Sequence, residues 1–184
     1  MKQALSCCAL SWALGLMPGW AQAESLDPAH SELHFYGTQL GAQVEGTFHN
    51  FSANLHFDPN DLPHSTVHMT IDLNSVDLAS EESEDAIKGP HWFHVAAFPQ
   101  ALFDATEIRS LGQNRYLVLG DLKIKGVSRH LQIPMQMSYD HSLRVAQGQF
   151  MLRRTMFNVG DGTWAETDTV KDDVVVRYRL TLVP

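Results

Sequence analysis

Alternation of apolar and polar residues recurs along most of this chain and limits its fold more than any other feature. A period of two is that of a β-strand with one buried face and one wet face. Six runs show the alternation clearly, and three weaker runs bring the predicted total to about nine strands. The clear runs are 32–36, 51–57, 67–73, 116–124, 131–139 and 174–182, and the weaker ones are 44–48, 101–108 and 143–152.

Residues suited to tight turns separate several of these runs, for example Gly112-Gln113-Asn114 and Lys125-Gly126. Such short connections make consecutive strands antiparallel neighbours. Gly120 inside a run indicates a bulge or a tight bend, and Pro134 indicates an edge or a bulge. We therefore predict an all-β antiparallel barrel. Meander connections favour a barrel over a sandwich, although the period alone does not separate the two.

Residues 80–88 break the alternation and predict one short helix. Ser80 suits the N-cap, and the acidic residues that follow it suit the positive end of a helix dipole. Gly89-Pro90 would end the helix. An aromatic-rich loop that contains Trp92 and Phe93 follows.

The first residues have the composition of a secretory signal peptide. Lys2 supplies a basic start, residues 4–20 are apolar and uncharged, and Ala21-Gln22-Ala23 suits a signal peptidase. A membrane anchor is the alternative, but a Pro-Gly pair interrupts an apolar run that is already short for a spanning helix. We expect residues 1–23 to be a signal peptide and residues 24–184 to be one exported, periplasmic domain.

Cysteine content and charge exclude several classes of function. Both cysteines, Cys7 and Cys8, lie in the predicted signal, so the exported domain would have no disulfide, thiolate metal site or cysteine nucleophile. The chain carries a net charge of −8 and no basic patch. Nucleic acids and anionic membrane surfaces need clustered Lys and Arg, so neither is an expected partner.

The apolar face of the predicted barrel is rich in Phe, Trp and Met. A small barrel can be packed solid or can hold one ligand. Methionine is unbranched and adapts to irregular shapes, which suits a cavity for a flexible apolar molecule. The same residues are also ordinary constituents of a packed core, so composition leaves both interpretations open.

Four segments, in their order along the chain, resemble those of the YceI family of bacterial periplasmic, lipocalin-like proteins. The resemblance spans residues 27–182. The segments are Asp27-Pro28-Ala29-His30-Ser31, Val44-Glu45-Gly46-Thr47-Phe48, Trp92-Phe93-His94-Val95 and the hairpin Gly120-Asp121-Leu122-Lys123-Ile124-Lys125-Gly126-Val127-Ser128-Arg129.

The resemblance implies an extended, lipocalin-like antiparallel β-barrel closed by a helix. It also implies a long apolar tunnel for polyisoprenoid chains, isoprenoid quinones or fatty-acid derivatives, and hence a carrier of an amphiphilic lipid without catalysis or a cofactor of its own. From the side of each strand on which apolar residues fall, we expect the tunnel to be lined by Phe35, Phe51, Met69, Trp92, Phe93, Phe103, Met135, Met151 and Phe157.

The sequence departs from the family near the C-terminus. Many relatives carry an Asp-Phe-Gly-Ile-Gly-like run, which here reads Met156-Phe157-Asn158-Val159-Gly160. Asn158 replaces the first glycine, and asparagine tolerates a left-handed backbone better than most residues, so we expect the turn to persist. Met156 replaces the acid, which puts in question any polar contact of that acid with a ligand headgroup.

Metal binding and catalysis have little support in the sequence. His64 with His68, or His91 with His94, would supply at most half of a zinc site, so we expect no metal site, and periplasmic metal or haem transfer stays open only as a second role. Ser128 lies near a histidine but not in a strained Gly-x-Ser-x-Gly turn. Adjacent acids such as Asp172-Asp173 would face opposite sides of a strand.

Two alternatives to a carrier stay open. One is a solid-cored barrel that assists an electron-transport or stress-response complex, and the other is a lipid hydrolase or isomerase that uses His91, His94 or Ser128. The sequence also leaves open an inner-membrane partner and a homodimer, for which the Val-rich final strand is a candidate edge.

Overall fold

A computed structural model describes residues 24–140 and 143–183 of the chain. The predicted signal peptide lies outside the described residues. The strands are β1 (Glu24–Leu26), β2 (Glu32–Gln39), β3 (Ala42–Phe48), β4 (Phe51–His56), β5 (Thr66–Asp72), β6 (Val76–Asp77), β7 (Gln100–Gly112), β8 (Arg115–Ile124), β9 (Val127–Asp140), β10 (Leu143–Arg153) and β11 (Asp173–Val183). Helix α1 spans Glu81–Lys88, and short 3-10 turns occupy Pro28–His30, Leu62–His64, Leu73–Ser75, Arg154–Phe157 and Gly162–Trp164.

Eight of these strands close into an antiparallel barrel. Neighbours pair in the order β1-β4-β5-β7-β8-β9-β10-β11, and β1 returns to β11 through Ser25 opposite Val183 and Leu26 opposite Leu182. The sheet continues from β11 through β2 and β3 to β6. The predicted barrel, with one α-helix among residues 24–140 and 143–183, is therefore confirmed, and β2 and β3 lengthen it at one end.

The alternation seen in the sequence sorts side chains between the two faces of the wall. In β8, Val118 and Leu122 are buried, whereas Asp121 and Lys123 are exposed. A register irregularity in β7 between Ala105 and Glu107 lies opposite Gly120, in agreement with the predicted bulge or bend. The central strands thus present an apolar face to the barrel interior.

The hairpin turn, the helix N-cap and the C-terminal turn lie where the sequence predicts them. Lys125 and Gly126 both have positive φ, at 48° and 76°, as a two-residue hairpin between β8 and β9 requires. The Ser80 side chain accepts a hydrogen bond from the Ser83 backbone N–H, so Ser80 is the N-cap of α1 as predicted. Asn158 adopts the left-handed conformation, with φ 55° and ψ 29°, and the expected turn is present.

Strand β9 leaves its partner β10 part of the way along its length. It pairs with β8 from Val127 to Gln136, but with β10 only from Gln136 to Asp140. Pro134 lies on the edge that is freed there, so its interpretation as an edge residue is confirmed. A proline lacks the N–H that a second ladder would need, which is consistent with the end of pairing at this point.

The expectation that the final strand forms an edge is wrong. Strand β11 pairs with β10 along one side and with β2 and β1 along the other. Its valines therefore belong to the interior of the sheet. Among the described residues, no helix is long and apolar enough to cross a membrane.

Candidate ligand cavity

A cavity of about 690 Å³ occupies the half of the barrel that contains β2, β3 and α1. This volume is within the range of about 300–1,000 Å³ that is typical of small-molecule sites. Its wall is mainly aliphatic and aromatic. Seven of the nine predicted lining residues border it, namely Phe35, Met69, Trp92, Phe93, Phe103, Met135 and Phe157.

The other two predicted lining residues do not border the cavity. Met151 is wrong because its side chain is 60% exposed on the outer face, and its neighbours Phe150 and Leu152 point inward instead. The alternation in β10 decides this, because residues 150 and 152 face inward and residue 151 therefore faces outward. Phe51, at the first position of β4, is half-buried and packs against the hydrophobic core outside the cavity.

Several lining residues were missing from the predicted set. Phe48 packs against two predicted residues at tilted ring angles, with ring centroids 5.4 Å from Phe35 and 6.0 Å from Phe93. Val176 and Tyr178 line the cavity from β11, and the alternation of that strand could have identified them. The contribution of Trp164, in contrast, depends on a loop fold that periodicity does not describe.

At the far end of the barrel, the described side chains pack against one another and do not border the cavity. Two strands that line the deep end continue into this layer: Phe57 follows Leu55, and Met137 follows Met135. Phe57 meets Tyr116 edge to face, and both side chains are 5% exposed. The deep end therefore has a floor of packed side chains.

Polar lining residues gather at the opposite end. Gln39, Gln43 and Glu45 come from the β2–β3 hairpin, Ser83 comes from α1, and Lys171 precedes β11. All five are exposed, whereas the lining residues at the deep end are buried. The cavity therefore opens to solvent between the hairpin and the helix, and its mouth is polar.

Arg154 organises the loop on one side of this mouth. It is only 3% exposed, and burial lowers the pKa of its guanidinium group. Its guanidinium lies 5.6 Å from the ring centroid of Trp92. The backbone carbonyls within 2.8–3.5 Å of its nitrogens are those of Val159, Gly160, Trp164, Glu166, Val170 and Lys171. Because arginine has five N–H donors, these carbonyls can satisfy all of them, and the side chain serves the loop.

A second polar cluster fastens the β8–β9 hairpin to the same loop. The Asp161 carboxylate lies 2.7 Å from Lys125 Nζ and 2.8 Å from His91 Nδ1. Lys125 also donates to the Asn158 carbonyl at 2.8 Å. The Lys125 ammonium, followed by the His91 ring, lowers the pKa of Asp161 below its usual value.

Tyr178 bridges the place where β9 and β10 separate. Its hydroxyl donates to the Pro134 carbonyl at 2.8 Å, across the width of β10. Burial raises the pKa of this hydroxyl, so it keeps its proton and remains a donor at neutral pH. The bond therefore ties β11 to the free edge of β9 from inside the barrel.

Several histidines pair with carboxylates on the outside of the barrel. His68 contacts Asp104, and His130 lies 3.0 Å from Asp121. Over residues 24–140 and 143–183, no three His, Cys, Asp or Glu side chains are grouped as a metal ion would require. Of the four histidines weighed as metal ligands, His64, His68 and His91 each contact an aspartate, and His94 packs edge to face against Phe98.

Comparisons with known proteins agree with this architecture. A UPF0312 protein of Yersinia pestis (strain Pestoides F) is 30% identical over 110 residues, which is 59% of this chain and 57% of that protein. The match therefore spans little more than half of the Yersinia protein. A UPF0312 protein of Vibrio campbellii is 27% identical over 137 residues, or 72% of each chain.

Solved structures provide a closer spatial match. The crystal structure of Burkholderia cenocepacia BcnA superposes with a TM-score of 0.82 at 33% identity and covers 85% of this chain and 98% of BcnA. A domain from Saccharophagus degradans, described as polyisoprenoid binding and implicated in plant cell wall breakdown, shares the fold with a TM-score of 0.69 at 17% identity. That match covers 88% of this chain and 99% of the domain. The family model of the YceI-like domain matches residues 25–182, and this chain belongs to the YceI-like family.

Proposed function

We propose that this protein is a periplasmic carrier that holds one long apolar amphiphile, of the polyisoprenoid, isoprenoid quinone or fatty-acid class, inside its barrel. The single observation that carries the proposal is a cavity of about 690 Å³ with an apolar interior, a floor of packed side chains and a polar mouth. That shape suits a molecule with a greasy chain and a polar headgroup at one end.

The expected driving force is removal of the chain from water. Apolar surface contributes about 25 cal/mol per Å² when it is buried, so a chain that fills the cavity gains binding energy along its whole length. At the mouth, Gln39, Gln43, Ser83 and Lys171 offer hydrogen-bonding groups to a headgroup. The Saccharophagus domain of the same fold is described as polyisoprenoid binding, which supports the ligand class.

The cavity favours a carrier over a solid-cored interaction protein, because a packed barrel would leave no space for a ligand. We propose no reaction for the site. Arg154 borders the cavity, but its N–H groups face the carbonyls of its own loop. The Tyr178 hydroxyl faces the Pro134 carbonyl. Both groups therefore hold the wall of the cavity together, and we assign the cavity to ligand storage.

Organic-solvent extraction of gently purified protein, followed by mass spectrometry of the extract, tests the proposal. We expect one lipid class, in an amount equivalent to the protein. After delipidation, an apolar dye such as N-phenylnaphthylamine should bind saturably, and the extracted lipid should displace it. An extract without lipid, together with a dye that fails to saturate, would support the solid-cored alternative.

A further inference from the structure

Four strand glycines face the barrel interior, and three of them are tightly covered by other residues, whereas a Cβ at Gly37 would meet nothing within 4 Å. Gly46, Gly120 and Gly148 each lie between two residues that border the cavity, two positions away on either side. None of the three has a positive φ, so the backbone does not require glycine there. What they supply is the absence of a side chain.

An aromatic side chain from the neighbouring strand lies over each of these glycines. A Cβ at Gly46 would lie 2.2 Å from Phe35 Cζ, and one at Gly120 would lie 2.6 Å from Phe103 Cζ. A Cβ at Gly148 would lie 2.8 Å from the Tyr178 hydroxyl. Cross-strand pairing of an aromatic ring with a glycine lets the ring lie flat along the sheet. The rings therefore follow the wall and do not cross the lumen.

Gly46 differs from the other two glycines in what surrounds it. A Cβ at Gly120 or Gly148 would also meet a backbone oxygen, of Asp104 at 2.5 Å or of Pro134 at 2.2 Å. At Gly46 the nearest atoms belong only to side chains, those of Phe35 and Leu78. A methyl group at residue 46 would thus displace the Phe35 ring while the two strands keep their spacing.

Phe35 lies beside the path that a ligand chain would follow from the mouth to the deep end. Along β2, Leu33 borders the deep end of the cavity and Gln39 borders its mouth, and Phe35 lies between them. The Phe48 ring lies beside it, with centroids 5.4 Å apart, and a methyl group on β3 at residue 46 would push the Phe35 ring away from that strand and into the lumen. The conformation of Phe35 therefore determines the width of the cavity at its middle.

We propose that Gly46 is a specificity-determining position, which keeps the Phe35 ring against β3 and so admits methyl-branched, isoprenoid chains that are wider than a linear alkyl chain. The inference rests on the proposed carrier function. It adds that the cavity wall selects ligands by the branching of their hydrocarbon chain.

The test compares two alcohols of equal main-chain length, branched geranylgeraniol and linear hexadecanol, as competitors of N-phenylnaphthylamine on delipidated protein. Gly46→Ala should weaken geranylgeraniol binding by about tenfold or more, because overpacking penalises the wider chain, and should weaken hexadecanol binding by less than about threefold. Thr47→Ala, which puts alanine at the next position on the outer face of β3, is the matched control.

The double variant Gly46→Ala with Phe35→Leu should regain geranylgeraniol binding, since the ring that the new methyl group displaces is gone. It also provides the test if Gly46→Ala alone does not fold. Equal binding of both alcohols by Gly46→Ala, equal loss of both, or a double variant that does not recover would overturn the inference. If the wild-type protein binds neither alcohol, the carrier proposal itself fails.

Discussion

The rings of Phe57 and Tyr116 meet edge to face with their centroids 5.0 Å apart, and this pair separates the hollow half of the barrel from the solid half. Both residues continue strands that line the cavity, one inward position beyond Leu55 and Val118. These side chains therefore bound the cavity at its deep end, and their size sets the length of chain that the cavity can take.

Removal of one ring from this layer should lengthen the cavity. We expect Phe57→Ala to lower the free energy of unfolding by about 3–5 kcal/mol, the usual cost of a Phe to Ala change in a core. Among alcohols of increasing length, the variant should prefer a longer chain than the wild-type protein does. Urea unfolding measures the first effect and dye displacement the second. An unchanged length preference would contradict the assignment of the floor, and exposed Leu111→Ala is the control.

The buried Arg154 should be the largest single polar contributor to stability near the mouth. Arg154→Met would leave a set of loop carbonyls without donors, and we expect a loss of about 3–5 kcal/mol in the free energy of unfolding. Arg153→Met is a matched control, because the neighbouring arginine is exposed. Similar denaturation midpoints for the two variants would mean that the hydrogen bonds from Arg154 to the loop carbonyls do not stabilise the loop.

The Asp161 cluster predicts a pH dependence of stability. Because Lys125 and His91 hold the pKa of Asp161 below its ordinary value of 3.8, ionised Asp161 stabilises the fold at pH values above 3.8. This contribution is lost as the pH falls below 3.8 through the lower, folded-state pKa. The difference in urea midpoint between the wild-type protein and Asp161→Asn should therefore shrink as the pH drops below 3.8.

A difference in midpoint that stayed constant from neutral to strongly acidic pH would contradict this account of Asp161. The same substitution at exposed Asp173, at the start of β11, serves as the control.

Ligand entry should be visible in the intrinsic fluorescence. Trp92 and Trp164 are the only tryptophans in the described part of the chain, their ring centroids are 5.7 Å apart, and both border the cavity. An apolar chain that displaces water from these rings should shift their emission to shorter wavelength. Saturation with geranylgeraniol should produce the shift, and Trp164→Phe should reduce it. An emission maximum that does not shift at saturating ligand would contradict binding in this cavity.

Much of the fold could be predicted from the sequence, since a period of two fixes both strand identity and the inward face. That is why Phe35, Met69, Phe103 and Met135 were placed in the wall. In β10 both faces carry apolar residues, and the inward face belongs to Phe150 and Leu152, so the facing predicted for Met151 is wrong.

Other features depend on contacts that no local pattern encodes. Residues 158–171 form a loop because Arg154 collects their carbonyls, and its role as the centre of the loop follows from tertiary contacts. Gly46, Gly120 and Gly148 have no special backbone conformation, so only the ring above each of them reveals its purpose. Strand β1, which closes the barrel, has three residues, and a strand of that length is too short to show an alternating run.

Adjacent residues on β10 provide the most direct test of the central claim. Leu152 borders the cavity and Met151 faces outward, so tryptophan at each position differs only in the side of the wall that it occupies. Native mass spectrometry of gently purified protein should detect one bound lipid per chain in the wild-type protein and in Met151→Trp, and little or none in folded Leu152→Trp. The same bound mass in Leu152→Trp, or only ligand-free protein in every wild-type preparation, would contradict the claim that the barrel interior holds the ligand.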